Sequence, residues 1–150
     1  MHPDSVFYFS DAAVDQRGRA AAAAVIVRDR VRQILDYATC MLPGMTNNEA
    51  EYEALLLALE LALERGEQRP VFLVDSQVVV GQVRGRFAVH DARLAVRQQQ
   101  ALLLLGQLPQ PAIAFTPRIY NELADALAAE TLRLGLRQQR TDHRAGRNGG

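Results

Sequence analysis

Aromatic and β-branched residues crowd the first apolar stretch, VFYFSDAAV within residues 5–14, and predict a strand. Residues 20–29, AAAAAVIVRD, are apolar without alternation and predict a second strand, although alanine is a poor strand former. A looser alternation in residues 32–41, RQILDYATCM, predicts a third. The connections are short, as an antiparallel meander requires. At Thr46 the period changes. Thr46-Asn47-Asn48-Glu49 fits a capping box, with Thr46 and Glu49 each satisfying the other's free backbone N–H. Ala50, Ala54, Leu55, Ala58, Leu61 and Ala62 then recur at helical spacing until Gly66 stops them. Residues 70–74, PVFLV, are wholly apolar, as in a strand covered on both faces. A short helix over 77–83, a longer one over 91–108 closed by Pro109, a brief strand at 111–116 and a last helix over 119–136 complete the series.

The order β-β-β-α-β-α-α-β-α predicts an α/β fold, a mixed sheet flanked by helices, in one domain over residues 1–136. Residues 137–150, RQQRTDHRAGRNGG, lack apolar periodicity and are expected to form a disordered basic tail. A length of 150 residues suits a single domain. No apolar run reaches the roughly 18 residues that span a bilayer. MHPDSVFYF shows no basic stretch followed by a long apolar one, so no secretory signal is expected and the expected location is cytoplasmic. The single cysteine, Cys40, excludes an internal disulfide framework and is expected to be a small buried hydrophobe.

Formal net charge is zero, so total charge says nothing about a nucleic-acid partner; its distribution says more. Arg84, Arg86, Arg93 and Arg97 stand against only Asp91 in residues 81–100, and five arginines against Asp142 in residues 131–150. Acids gather instead at Glu49, Glu51, Glu53, Glu60, Glu64 and Glu67. A basic zone beside an acidic one suits a metal site next to a phosphate-binding surface.

Four carboxylates hold places that such a site needs. Asp11 lies within the first strand, and Asp75 ends PVFLV at the carboxyl edge of the sheet, where open α/β folds build their sites. Each follows an apolar run, and a buried ionised carboxylate is costly unless it meets a cation or strong donors. Two residues of helix rotate a side chain by about 200°, so Glu49, Glu51 and Glu53 cannot share a face. Glu49 is assigned to capping, Glu53 to solvent and Glu51 to the site. Asp125 sits in the alanine-rich ELADALAAE of the last helix. Any one of these acids could be a cap or a surface charge; four in order on strand, helix, strand and helix form a pattern.

FSDAA, TNNEAEYEALLLALELAL, VDSQVVVGQVRG and TPRIYNELADALA together resemble the successive signatures of type 1 ribonucleases H. The likeness is greatest to the compact bacterial and archaeal branch without a basic protrusion, and it spans roughly residues 6–135. It implies a ribonuclease H-like fold: a mixed five-stranded sheet of order 3-2-1-4-5 with strand 2 antiparallel. It also implies that Asp11, Glu51, Asp75 and Asp125 bind two Mg²⁺ or Mn²⁺ ions. Asp11 would bridge both, Glu51 and Asp75 would share one, and Asp125 would complete the other. Hard cations select oxygen ligands, which suits a carboxylate set without Cys or His. Two metals roughly 4 Å apart supply activated water, charge relief and leaving-group stabilisation for in-line phosphodiester hydrolysis.

The implied activity is endonucleolytic cleavage of the RNA strand of RNA–DNA hybrids, leaving 5′-phosphate and 3′-hydroxyl ends. The resemblance assigns Asn47, Asn48 and Gln77 to the minor groove, where 2′-hydroxyls are read. Arg84, Arg86 and Arg93 fall at backbone-binding positions, and Arg118 and Asn121 near the site entrance. The chain departs from the family pattern in four places. Ala12 follows the first acid where glycine is usual, and Arg17, in VDQRGRA, replaces an RNA-contacting asparagine, leaving Gly18 to supply the turn. Phe115 replaces a histidine ten residues before the last acid, so reduced turnover is expected; Phe87 replaces an aromatic that is commonly tryptophan. Two alternatives follow: a nucleic-acid-binding module with weak or absent turnover, and a related nuclease acting on double-stranded RNA or RNA–DNA junctions.

Overall fold

The computed structural model describes the backbone of residues 2–148 and the side chains of residues 2–140. β1 (Val6–Val14), β2 (Ala20–Arg28) and β3 (Ile34–Pro43) form the expected meander. α1 (Asn47–Glu64), β4 (Pro70–Val74), α2 (Gln77–Val83), α3 (Ala92–Gly106), β5 (Ala112–Phe115) and α4 (Glu122–Asn148) follow, with one 3-10 turn at Arg118–Tyr120. The sheet order is β3-β2-β1-β4-β5. β2 runs antiparallel to both neighbours, and β1, β4 and β5 are mutually parallel. This is the topology the resemblance implies.

The two faces of the sheet carry different cores. Tyr8, Val25, Val27, Phe72 and Val74 pack with Tyr52, Leu55 and Leu59 of α1 and with Leu94 and Ala101 of α3. Burying such side chains stabilises by about 1.5–3 kcal/mol each, so this face carries most of the apolar driving force. The opposite face, under α4, is thin: Ala20 and Ala22 meet Leu132, with Ala13, Met41 and Leu136 alongside. Alanine, intrinsically poor in strands, belongs in β2 because a helix lies close on it. At Gly135 of α4 an added Cβ would lie 2.2 Å from the Met41 sulfur of β3.

α1 ends in a Schellman motif: Gly66, at φ +64°, donates to the Leu63 carbonyl and Glu67 to that of Ala62. Glu67 then accepts from the Tyr8 hydroxyl and pairs with Arg65, which tethers the α1–β4 connection to β1. Gly18 turns β1 into β2 at φ +72°, as expected, and its carbonyl lies so near Gly44 that a Cβ there would come within 2.0 Å.

Several expectations need correction. The capping box is half formed: the Thr46 hydroxyl accepts from the Glu49 N–H, but the Glu49 carboxylate accepts from that hydroxyl instead of the Thr46 N–H and pairs with Arg93 and Arg97 of α3. Arg97 also holds Glu53, expected in solvent, because α3 packs against this side of α1. Cys40 is exposed, since β3 is an edge strand with one open face. Finally, α4 continues past residue 136 to Asn148, through much of the stretch expected to be disordered. Arginine, glutamine and alanine are good helix formers and no proline interrupts them, so propensity extends a helix that periodicity could not announce. Residues 149–150 lie outside the described residues.

Candidate active site

The parallel pairing of β1 with β4 sets Ser10 opposite Val74, so the next residue on each strand is an acid, Asp11 and Asp75. Glu51 reaches them from the start of α1 and Asp125 from the first turn of α4, where helix N-termini favour negative charge. One carboxylate oxygen each from Asp11, Glu51 and Asp75 lies within 4.8 Å of the others. Asp125 stands outside that trio, yet close enough to Asp11 to perturb it. The fold thus draws toward one point the four acids that the sequence pattern singles out.

Their surroundings oppose ionisation. Asp11 is 3% exposed. Burial pushes its carboxyl well above the ordinary range; the Glu51 hydrogen bond opposes this, and the charge of Asp75 adds to it. Burial raises Glu51 too, and the charges of Asp11 and Asp75 raise it further. Such a cluster must bind either protons or cations. Among the described residues, the buried side-chain polar atoms without a partner are Ser10 Oγ, Glu51 Oε2, Asp75 Oδ2 and Asn121 Oδ1. Two of these are carboxylate oxygens of the trio, one belongs to the residue before Asp11, and one lies a helical turn before Asp125. Unpaired buried oxygens of this kind call for a ligand or ordered water. The all-oxygen, anionic donor set therefore fits Mg²⁺ or Mn²⁺.

The remaining candidates separate into groups. Asn47 and Asn48 are exposed at the start of α1, and neither caps the helix, a task Thr46 performs. Gln77, Arg84 and Arg86 line one groove beside α2, together with Val80, Gly81, Phe87 and Phe115. The Phe87 and Phe115 rings, 51% and 40% exposed, thus share a single surface with the predicted phosphate contacts. Arg118 is exposed in the 3-10 turn, apart from that groove. Arg93 is tied to Glu49. Asn121, expected at the entrance, is 1% exposed and donates through Nδ2 to the Ser10 carbonyl at 2.9 Å. Sequence reasoning missed a further buried link, from the Tyr52 hydroxyl on α1 to Gln82 Oε1 on α2 at 2.7 Å. Gln98 of α3 donates to the Gln82 carbonyl at 2.8 Å. A polar glutamine at a buried helical position was the available signal.

Comparison with known proteins agrees with this geometry. Residues 9–131 match the family described as reverse transcriptase-like. Ribonuclease HI of Halobacterium salinarum is 41% identical over 87 residues, covering 58% of this chain and 44% of that protein. The chain therefore matches less than half the length of that curated relative. The crystal structure of a Halobacterium salinarum RNase H1 superposes with a TM-score of 0.82 at 32% identity, covering 86% of this chain and 98% of the other. The N-terminal RNase H domain of a Mycobacterium tuberculosis protein gives 0.82 at 26% identity, covering 90% and 98%. By the family match over most of its length and by its fold, the chain belongs to the reverse transcriptase-like family, on its type 1 ribonuclease H branch.

Proposed function

We propose that this protein is a metal-dependent endoribonuclease that hydrolyses the RNA strand of RNA–DNA hybrids, leaving 5′-phosphate and 3′-hydroxyl ends. The observation that carries the reading is the trio Asp11, Glu51 and Asp75, with one oxygen of each within 4.8 Å of the others and with Glu51 Oε2 and Asp75 Oδ2 buried and unpartnered. The name of the Halobacterium relative supports the reaction class. Asp11, Glu51, Asp75 and Asp125 would hold two Mg²⁺ or Mn²⁺ ions. Bound there, such ions relieve charge on the phosphoryl group and lower the pKa of the attacking water.

The chain's own residues bring the substrate to that point. The exposed amides of Asn47 and Asn48 are free to meet base edges and ribose hydroxyls in a minor groove. Gln77 joins them from the α2 groove, along which Arg84 and Arg86 receive the backbone, their guanidinium groups neutralising phosphates without reading sequence. Arg118 offers a further exposed charge. Hybrids of this kind arise inside cells, in keeping with a cytoplasmic protein; no described helix is long and apolar enough to cross a membrane.

One observation favours a second reading, a binding module of low turnover: Phe115, not histidine, ends β5 beside the groove. Labelled hybrid, RNA duplex, DNA duplex and single-stranded RNA, each with Mg²⁺ or Mn²⁺, separate the two. Cleavage confined to the hybrid and lost in Asp75→Asn is the expected result. Binding without metal-dependent cleavage of any substrate would establish the second reading, and cleavage of duplex RNA would move the specificity.

A further inference from the structure

Asn121 immediately precedes α4, where asparagine ordinarily caps a helix by accepting a backbone N–H through its side-chain oxygen. Here it does not. Oδ1 accepts nothing, although it is buried, and Nδ2 points away from the helix to donate to the Ser10 carbonyl of β1 at 2.9 Å. At 1% exposure the amide is also closed to a nucleic-acid ligand. The residue thus forgoes its local cap and leaves a carbonyl unpaired, both unfavourable to local stability. Departures of this kind concentrate where function imposes the geometry.

What the bond achieves follows from its two ends. Ser10 is the residue before Asp11, so its carbonyl belongs to the peptide that leads into the buried acid. The backbone carbonyl of Asn121 accepts the N–H of Asp125 at 3.0 Å. One residue therefore ties the peptide before the first acid to the backbone of the fourth. Asp125 is exposed, and its carboxylate meets that of Asp11, a side-chain contact that raises the Asp11 proton affinity. Its distance from Asp11 depends on where the first turn of α4 sits.

We propose that Asn121 is a positioning residue: it locks the start of α4 onto β1 so that Asp125 faces Asp11, and so sets the affinity of that pair for a divalent cation. This rests on the reading of the carboxylates as a cation site. The test is Mn²⁺ binding by the protein without nucleic acid, followed by calorimetry or electron paramagnetic resonance. Asn121→Ser and Asn121→Gly are the variants, since both residues are accepted at helix N-caps but neither reaches Ser10. Each is expected to fold, to bind Mn²⁺ about tenfold more weakly, and to regain much of its hybrid cleavage at saturating Mn²⁺. Unchanged Mn²⁺ affinity in a folded variant, with wild-type binding intact, overturns the proposal alone. Failure of both variants to fold overturns it as well, because Asn121 is then a stability residue. No Mn²⁺ binding by the wild type overturns the cation-site reading, and the proposal with it.

Discussion

Asp75 and Arg84 are nine residues apart, at the two ends of α2, yet their surroundings share almost nothing. Asp75 belongs to a set of carboxylates with buried, unpartnered oxygens, placed by strand register and helix starts. Arg84 and Arg86 are exposed on a groove that also carries two phenylalanine rings. In the first region backbone geometry decides the chemistry, so changing one side chain alters the charge and leaves the shape. In the second, exposed side chains make the surface, and each can be replaced without disturbing the fold. The difference teaches that hydrolytic competence and substrate choice rest on separable parts of this molecule.

Glu51→Gln tests the first half of that contrast and carries the largest effect. Metal-dependent cleavage should fall by about two orders of magnitude or more, since even residues behind metal ligands cost 10–100-fold. The same change should stabilise the metal-free protein. Asp11 and Glu51 have proton affinities raised above their ordinary values of 3.8 and 4.5, so the folded protein keeps protons that the unfolded chain releases. Stability without metal therefore declines as pH rises above about 4, and Mg²⁺ or Mn²⁺ should restore more of it at higher pH. Removing one buried charge should weaken that decline and raise Tm at neutral pH, by roughly 2–4 °C for each kcal/mol relieved. A Tm that falls, with an unchanged pH profile, would mean that the cluster is not under electrostatic stress.

The second half is tested by Arg84→Ala combined with Arg86→Ala. Hybrid affinity should drop, and the slope of log affinity against log salt should become shallower by about one for each phosphate that is no longer neutralised. The cleavage rate at saturating substrate and the Mn²⁺ requirement should stay as they are. An unchanged salt slope would remove both arginines from the substrate surface.

Gly81→Ala has the smallest expected effect and probes how the groove wall is held. A Cβ there would lie 2.2 Å from the Phe87 ring, so the ring must shift off α2. A cost of about 1 kcal/mol in stability is expected, as for modest overpacking. KM for the hybrid should rise while kcat is kept; a change confined to kcat would couple the groove to the carboxylates and weaken the contrast drawn above.

Much of this was legible from residue order. PVFLV, the residue 77–83 helix and the meander announce themselves because apolar period and turn residues are local properties. The four acids were legible because each sits at a fixed point of a predicted element. Glu49 shows where local reasoning stops: a capping box at the level of four residues, its carboxylate keeps the Thr46 hydroxyl but also pairs with Arg93 and Arg97, more than forty residues on. Asn121 is a second case, an apparent surface amide that proves to be buried against β1.

The sequence by itself determined the element order and the mixed sheet and singled out four candidate carboxylates, because periodicity, punctuation and charge are written along the chain. Only the tertiary structure decided that three acids share one space under 5 Å across, that an oxygen each of Glu51 and Asp75 lacks a partner, and that Phe87 and Phe115 flank the same groove as Gln77. Those facts depend on strand register and on the seating of helices across the sheet, where residues distant in sequence compete for the same charge, donor or volume.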